Sequence, residues 1–336
     1  MNNSRYQNKG LSGLVNMGNT CWLNSATQML SNVLPLTSYF LENRYRDDIN
    51  ISKKEFKFLK EWIKLLQGLW SDNCIIKPIS YHRHFYHFYD GGLYDQEDSE
   101  EGLSKILDLL HEALSYEVDI KHNGVPKNKT DRLMIESIKS WEKSFKKGYS
   151  KIVELFYGQY LSEVKCLSCG YCSYTFDPFS IIQLSMNNEY NNIEDCLNNF
   201  VKTEKLDKEY NWKCDKCKDN NDSEKKILLW KSPKVLMIQL KRFDFLQGCK
   251  LQNNMRFPLR NLELSKYIEG YDKTESKYDL CGIIEHIGGI NGGHYISHNI
   301  NSNGKWYTYN DDSITEISRN DVKSKQAYIL CYIKNN

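Results

Sequence analysis

Gly13-Leu14-Val15-Asn16-Met17-Gly18-Asn19-Thr20-Cys21-Trp22-Leu23-Asn24-Ser25 sets a cysteine between a Gly/Asn/Thr-rich turn and an amphipathic helix pattern. Trp22, Leu23, Ala26, Met29 and Leu30 carry that pattern. Asn19 and Thr20 are good helix N-cap residues. Free N–H groups and the helix dipole favour negative charge at that end, so the spacing predicts an easily ionised Cys21 thiol. The thiolate is the form that attacks carbonyls, which makes Cys21 a candidate nucleophile. An isolated cysteine is more often a small buried apolar residue. The rest of the chain must therefore supply a base and a group that orients it.

At 336 residues, the chain can bury one sizeable core or a few cooperating subdomains. Its 40% hydrophobic and 26% charged content are ordinary for a soluble globular protein. A formal charge of +2, with acids and bases interspersed, gives no footprint for nucleic acid. No apolar segment follows the N-terminal tail, and no apolar run is long enough to span a bilayer. With eleven cysteines and no secretory signal, thiol chemistry or metal binding is expected over disulfides. The expected setting is the reducing cytosol or nucleus.

Apolar residues recur at helical period over 53–70, 98–114 and 131–147. From about Ile152 the pattern turns to β-branched and aromatic alternation. Strands are predicted at 156–165, 171–175, 227–230, 235–243, 278–286, 294–299, 306–310 and 327–333. Stretches 218–226 and 288–293 read as loop tips. Helices first and strands after argue for an α+β fold with an inserted strand-rich arm.

Cys166-Leu167-Ser168-Cys169 and Cys214-Asp215-Lys216-Cys217 are two CxxC pairs. Each such turn brings two thiolates to one metal, so the two together predict one tetrahedral, all-thiolate zinc ion. Four protein ligands leave no open position, so that zinc would be structural. The CxxC spacing selects Cys169 over the nearby Cys172. His82, His84 and His87 read as ordinary surface or groove histidines.

A base for Cys21 is sought near the C-terminus. His294 opens a predicted strand after the glycine-rich stretch 288–293, where a substrate backbone could approach closely. The strand 306–310 ends at Asn310 and Asp311, either of which could lie beside the His294 ring. His286 and His298 compete for the role, and spacing alone does not choose.

Taken together, these blocks resemble the catalytic domain of the ubiquitin-specific proteases. Gly13–Ser25 resembles the family's Cys box, and Gly292-Gly293-His294-Tyr295 through Tyr309-Asn310-Asp311 resembles its His box. Gln96-Glu97-Asp98-Ser99-Glu100-Glu101, the CxxC pairs, Leu236–Phe243 and Phe257-Pro258 follow in family order, covering 11–333. The resemblance implies a papain-like right hand with a helical thumb (about 12–115), zinc-stapled β fingers (155–245) and a mainly C-terminal palm (246–333). Residues 1–11 would be a tail before a single catalytic domain at 12–333.

Carried over position by position, Cys21 is the nucleophile, His294 the base and Asn310 its orienting partner, with Asp311 a plausible helper. Asn16 matches the oxyanion donor, a kind of group whose loss costs about 100- to 1,000-fold in rate. Asp98 and Glu101, with Gln96, Gly292, Gly293 and Tyr295, match residues that receive the basic, Gly-Gly-ending tail of ubiquitin. The implied activity is thiol-dependent hydrolysis after that glycine, by a monomer with one structural zinc and no organic cofactor. Two other readings remain: a protease for another Gly-Gly-ending modifier, and a non-catalytic ubiquitin-binding module. Gly102 departs from the family, which usually has an aromatic residue there, and Glu97 replaces a more common Gln.

Overall fold

The computed structural model describes residues 6–92, 95–121, 124–210, 212–323 and 326–335. Its first part is helical, as the apolar period predicts. A short strand β1 (Gly13–Leu14) leads to α1 (Cys21–Ser31), α2 (Leu34–Leu41) and α3 (Phe56–Leu69). β2 (Ile75–Ile76) pairs in parallel with β1, and α4 (Ile79–Tyr86) and α5 (Ser99–Leu114) complete the lobe. α6 (Lys129–Phe145) and α7 (Lys151–Phe156) lead into the strands. α5 begins where the sequence predicts because Asp98 caps it, accepting the Glu100 N–H at 2.7 Å.

α1 departs from the expected amphipathic helix. All eleven of its residues are buried, polar ones included. Its polar side chains hold internal partners: Gln28 Nε2 donates to Ser12 O at 2.8 Å, and Thr27 Oγ1 lies 3.0 Å from Tyr81 Oη. A helix can be buried all round at little cost when each polar group is satisfied in this way. α1 is thus the central post of the helical lobe, with the sheet on one side and α5 on another.

The strand-rich half divides in two. β3 (Gly158–Cys166), β4 (Cys172–Phe179), β6 (Glu204–Leu206) and β7 (Ser223–Lys231) form a four-stranded arm in the order β4-β3-β7-β6. Between them, β5 (Ile181–Ser185) and α8 (Ile193–Phe200) return to the body. The main sheet also uses β8 (Val235–Lys241), β12 (Lys277–Gly289), β13 (Gly292–Ile300), β14 (Trp306–Asn310), β15 (Ser313–Ile317) and β16 (Ala327–Lys334), ordered β15-β14-β13-β12-β16-β8-β5. β9 (Phe243–Asp244) and β10 (Cys249–Lys250) form a small hairpin, β11 (Leu262–Glu263) pairs with β12, and α9 (Arg319–Lys323) precedes β16. The α+β class expected from the sequence is the one observed.

Six consecutive residues of β8, from Val235 to Leu240, are buried, as suits a strand covered on both faces. One core joins α1–α5 to the sheet, and a second joins α8 and the 255–268 segment to it. Two expected loops are shorter than the sequence suggests. β7 already begins at Ser223, and the 288–293 stretch is a tight hairpin in which Gly288 pairs with Gly293 and Gly289 with Gly292.

Candidate active site

Cys21 is the first residue of α1, as predicted, but the turn before it is built differently. Thr20 occupies the N-cap position without capping; its hydroxyl accepts the Met17 N–H at 2.9 Å instead. Asn16 Oδ1 gathers the N–H groups of Gly18 (3.0 Å) and Thr20 (3.1 Å), closing the turn on itself. The thiol is buried, at 3% exposure. Burial pushes its pKa up and the Asp311 charge adds to this, while backbone hydrogen bonds from Tyr295, Trp22 and Cys21 oppose the rise without cancelling it. The easily ionised thiol expected from the helix terminus is therefore corrected: desolvation outweighs the helix end.

β13 and β14 bring the other groups in. Their register sets Ser297 opposite Tyr309, so the end of β14 lies beside the start of β13. His294 Nε2 sits 2.7 Å from Asn310 Oδ1. With an acceptor oxygen at that distance, Nε2 carries the proton and Nδ1 is left as the basic nitrogen. Asp311 Oδ2 lies 3.8 Å from the same Nε2. Asp311 belongs to the two-residue turn between β14 and β15 and has φ +50°, a left-handed conformation that Asp tolerates. Among the described residues, no hydrogen bond joins Cys21 to His294.

The rival histidines separate cleanly. His298 is fully buried, with Nε2 3.1 Å from Glu285 Oε2 and Nδ1 2.9 Å from Thr308 Oγ1. His286 packs its ring on Tyr295 and Phe243, with centroids 4.6 and 5.1 Å away, and burial first of all lowers its pKa to about 4. Only His294, with its side chain 37% exposed, has both an orienting amide and access to solvent.

Asn24 was missed by the sequence reading. Its Nδ2 donates to Asp311 Oδ1 at 2.7 Å, while Asn16 Nδ2 donates to Asp311 Oδ2 at 2.9 Å. The carboxylate is thereby held between α1 and the turn before it. The signal available was the position of Asn24, three residues into a helix otherwise read for its apolar face. Asn16, matched to an oxyanion donor, commits one N–H of its amide to Asp311 and keeps the other.

Of the residues expected to receive a peptide tail, Gln96, Asp98, Gly292 and Tyr295 line a cleft of about 240 Å³ with Phe243 and His286, whereas Glu101 lines a separate cavity beside Tyr89. The Gln96 amide pairs with both backbone groups of Gly293, donating to its O at 3.0 Å and accepting its N–H at 3.2 Å. A Cβ at Gly293 would lie 2.4 Å from both His286 Nε2 and Ile287 O, so only glycine fits there. Asp98 has internal partners on both oxygens, the Glu100 N–H and the Tyr328 hydroxyl, and burial raises its pKa. Glu101 is exposed and accepts from the Tyr89 hydroxyl at 3.0 Å. The departure at Gly102 has a local cause: a Cβ there would lie 2.7 Å from the Trp22 ring.

At the far end of the four-stranded arm, the sulfurs of Cys166, Cys169, Cys214 and Cys217 all lie within 4.8 Å of one another. Cys166 and Cys217 sulfurs are 3.9 Å apart, and those of Cys169 and Cys214 are 3.6 Å apart. A tetrahedral ion with metal–sulfur bonds of about 2.3 Å needs sulfurs roughly 3.8 Å apart, so the four fit such an ion. Each knuckle closes through a left-handed residue just after its second cysteine, Gly170 (φ +71°) and Lys218 (φ +60°). Cys172 is outside the cluster, and no comparable cluster forms at His82, His84 and His87 among the described residues. His82 proves to be buried, while His84 is half-buried and His87 exposed.

Comparison with known proteins places these features together. The family model for ubiquitin carboxyl-terminal hydrolase matches residues 12–332. The chain belongs to that family. Human ubiquitin carboxyl-terminal hydrolase 2 is 33% identical over 96% of this chain and 55% of the human protein, so the chain spans about half of that relative. A probable ubiquitin carboxyl-terminal hydrolase, R319, of Acanthamoeba polyphaga mimivirus is 28% identical over 100% of this chain and 92% of its own. Among solved structures, the SAGA Ubp8/Sgf11/Sus1/Sgf73 DUB module bound to ubiquitin aldehyde superposes with a TM-score of 0.77 at 26% identity, covering 99% of this chain and 71% of that one. The fold is thus that of the ubiquitin-specific proteases, a right hand whose β-rich arm carries the cysteine cluster. Among the described residues, no helix is long and apolar enough to cross a membrane.

Proposed function

We propose that this chain is a thiol-dependent deubiquitinase that hydrolyses the (iso)peptide bond after the C-terminal glycine of ubiquitin. The observation that carries this reading is the 2.7 Å pairing of His294 Nε2 with Asn310 Oδ1, beside a buried cysteine at a helix start. In this reading Nδ1 of His294 takes the proton as Cys21 Sγ attacks the glycine carbonyl. The same nitrogen returns the proton to the departing lysine amine. Water, deprotonated by His294, then attacks the thioester and releases Cys21. Asn310 fixes the tautomer, and the Asp311 charge favours the imidazolium that forms. The remaining N–H of Asn16 and the backbone N–H at Cys21 supply the oxyanion donors.

Ubiquitin is the inferred partner, its extended tail entering past Gln96 and the Gly292–Gly293 turn, with Glu101 and Asp98 on the acidic side. Among relatives of similar fold, the SAGA DUB module has been captured with monoubiquitin and with ubiquitin aldehyde. The four cysteines would hold one zinc ion, which when bound cross-links the two knuckles and stiffens the arm. We assign the thumb to about 12–115, the fingers to 155–245 and the palm to 246–333, with β5 and β8 lending strands to the palm sheet. A monomer working in the cytosol or nucleus accords with this reading.

A ubiquitin probe with a C-terminal electrophile tests the proposal. It should label Cys21, and Cys21→Ser should abolish both labelling and hydrolysis of ubiquitin–aminocoumarin while keeping ubiquitin binding. Labelling only by the probe of another Gly-Gly-ending modifier would redirect the substrate. Binding of ubiquitin with no labelling at all would leave a recognition module instead of an enzyme.

A further inference from the structure

The end of β12 poses a problem of backbone pairing. On one side it stays paired with β13 to the turn itself, Gly289 with Gly292. On the other side its partner β16 stops at the pair Glu285–Ala327. Among the described residues, 286–289 have no strand partner on that edge, and His286 at its start lines the tail cleft. Backbone groups of alternate residues point to the same edge of a strand, so the carbonyls of His286 and Gly288 face the gap together.

Lys250 fills it. Its Nζ donates to His286 O at 2.6 Å and to Gly288 O at 3.1 Å. The residue is only 8% exposed, and besides these contacts its ammonium group feels the opposing charges of Glu285 and Arg242. The lysine is thus a buried cation whose partners are two main-chain oxygens, an arrangement that costs desolvation and needs those contacts to offset it. It stands directly opposite Phe243 in the β9–β10 hairpin, and Phe243 packs on the His286 ring. The hairpin tip, Phe245 and Leu246, is 81% and 100% exposed. Lys250 thus adds a polar tie between two walls of the cleft that also meet at the Phe243–His286 ring contact.

We propose that Lys250 is a positioning residue for the tail cleft. Its ammonium group stands in for the missing neighbour strand at the end of β12 and locks the 243–250 hairpin to the 288–293 turn, fixing the cleft's width for an extended peptide end. That the occupant is the tail of ubiquitin rests on the functional reading above; the lock itself does not.

The test compares wild type with Lys250→Met, which keeps the length and loses the donors, and Lys250→Arg, which keeps charge and donors. Hydrogen exchange across 287–293 should speed up about tenfold in K250M, because the edge opens locally without global unfolding. KM for ubiquitin–aminocoumarin should rise about fivefold with kcat within about twofold, the signature of lost substrate positioning. The Cys21 alkylation rate by iodoacetamide should stay at its wild-type value, and K250R should recover most of both effects. Unchanged exchange together with unchanged KM overturns the proposal, as does a loss confined to kcat. If K250M fails to fold, Lys250→Gln, which keeps an amide donor group on a shorter side chain but no charge, undergoes the same measurements, and the same outcomes support or overturn the lock. An inactive wild type would count against the enzymatic reading alone, and the exchange comparison would still decide the lock.

Discussion

Asn24 Nδ2 donates to Asp311 Oδ1 at 2.7 Å, tying the helix that carries the cysteine to the strand turn that carries the histidine's partners. Asn16 holds the other oxygen of the same carboxylate at 2.9 Å. Asp311 thereby spans the two halves of the site, with its charge 3.8 Å from His294 Nε2. The orienting residue Asn310 is an amide and brings no charge of its own. The negative charge that favours an imidazolium comes from its neighbour, and two asparagines fix where that charge sits.

This division of labour predicts different losses at adjacent residues. Asp311→Asn keeps the shape and removes the charge. Because a hydrogen bond or close contact to a charged group is worth about 1.5–3 kcal/mol, kcat should fall roughly 10- to 100-fold with little change in KM. Asn24→Ala should lower kcat less, leaving the carboxylate one tether. Steady-state hydrolysis of ubiquitin–aminocoumarin measures both. A larger loss for N24A than for D311N would mean that Asn24 acts by some route other than Asp311.

The raised thiol pKa of Cys21 has a direct consequence for pH dependence. The group's ordinary value is 9.0, and burial moves it higher. A cysteine titrating there is almost entirely thiol at neutral pH, and its thiolate fraction grows as pH rises through and beyond 9. In the free protein, Cys21 alkylation by iodoacetamide should therefore still be climbing above pH 9, followed by mass spectrometry of the Cys21 peptide. A plateau by pH 7 would show instead a preformed thiolate. Proton removal by His294 during attack, not prior ionisation, is the route this predicts for turnover.

Much of the site was legible because its chemistry rides on local sequence. The two CxxC turns, the cysteine before a helix and the histidine after two glycines each sit within a few residues of their structural cause. The α+β order was legible for the same reason, since period 3.6 gives way to alternation near Ile152. What escaped depends on residues brought together from far apart. Asn24 and Asp311 are 287 positions apart in the chain, and the Lys250 contacts with His286 O and Gly288 O depend on β16 starting at Ala327, short of the end of β12. The thiol's environment was misjudged for a related reason: a helix terminus can be read from sequence, whereas the burial of all eleven residues of α1 is a property of the assembled lobe. Asp98, matched to a tail contact, also has internal duties that the match did not reveal: its oxygens serve the α5 cap and Tyr328.

The cysteine cluster predicts a metal that matters for the arm more than for the chemistry. Elemental analysis should return about one zinc per chain, and Cys214→Ser should lose it. One knuckle closes the turn after β3 and the other lies in the connection from β6 to β7, so losing the ion should raise hydrogen exchange in β3, β6 and β7 while leaving α1 and β13 protected. Hydrolysis of ubiquitin–aminocoumarin should weaken through KM, since the arm would be loosened while Cys21 and His294 stay in place. Equal loss of protection throughout the chain would make the metal a requirement of the whole fold.

Gly102 offers a prediction in which two effects of opposite sign can be weighed. In an exposed helix, replacing glycine by alanine gains about 1 kcal/mol from backbone entropy. Here the added Cβ would meet the Trp22 ring at 2.7 and 2.8 Å, and that ring is fully buried. Phe85, Tyr86 and Tyr89 hold it with ring centroids 5.8, 6.4 and 5.3 Å away, so it cannot swing aside. Overpacking of this kind costs about 1–3 kcal/mol, which cancels or exceeds the helical gain. Gly102→Ala should therefore leave the melting temperature unchanged or lower it, and Gly102→Phe should lower it severely. Pairing Gly102→Phe with Trp22→Ala should recover part of that loss, because the two rings contend for one volume. Trp22 directly follows Cys21, so G102A should also slow ubiquitin–aminocoumarin turnover by displacing the start of α1. An alanine variant that melts higher and turns over normally would show that the Trp22 ring has room to yield.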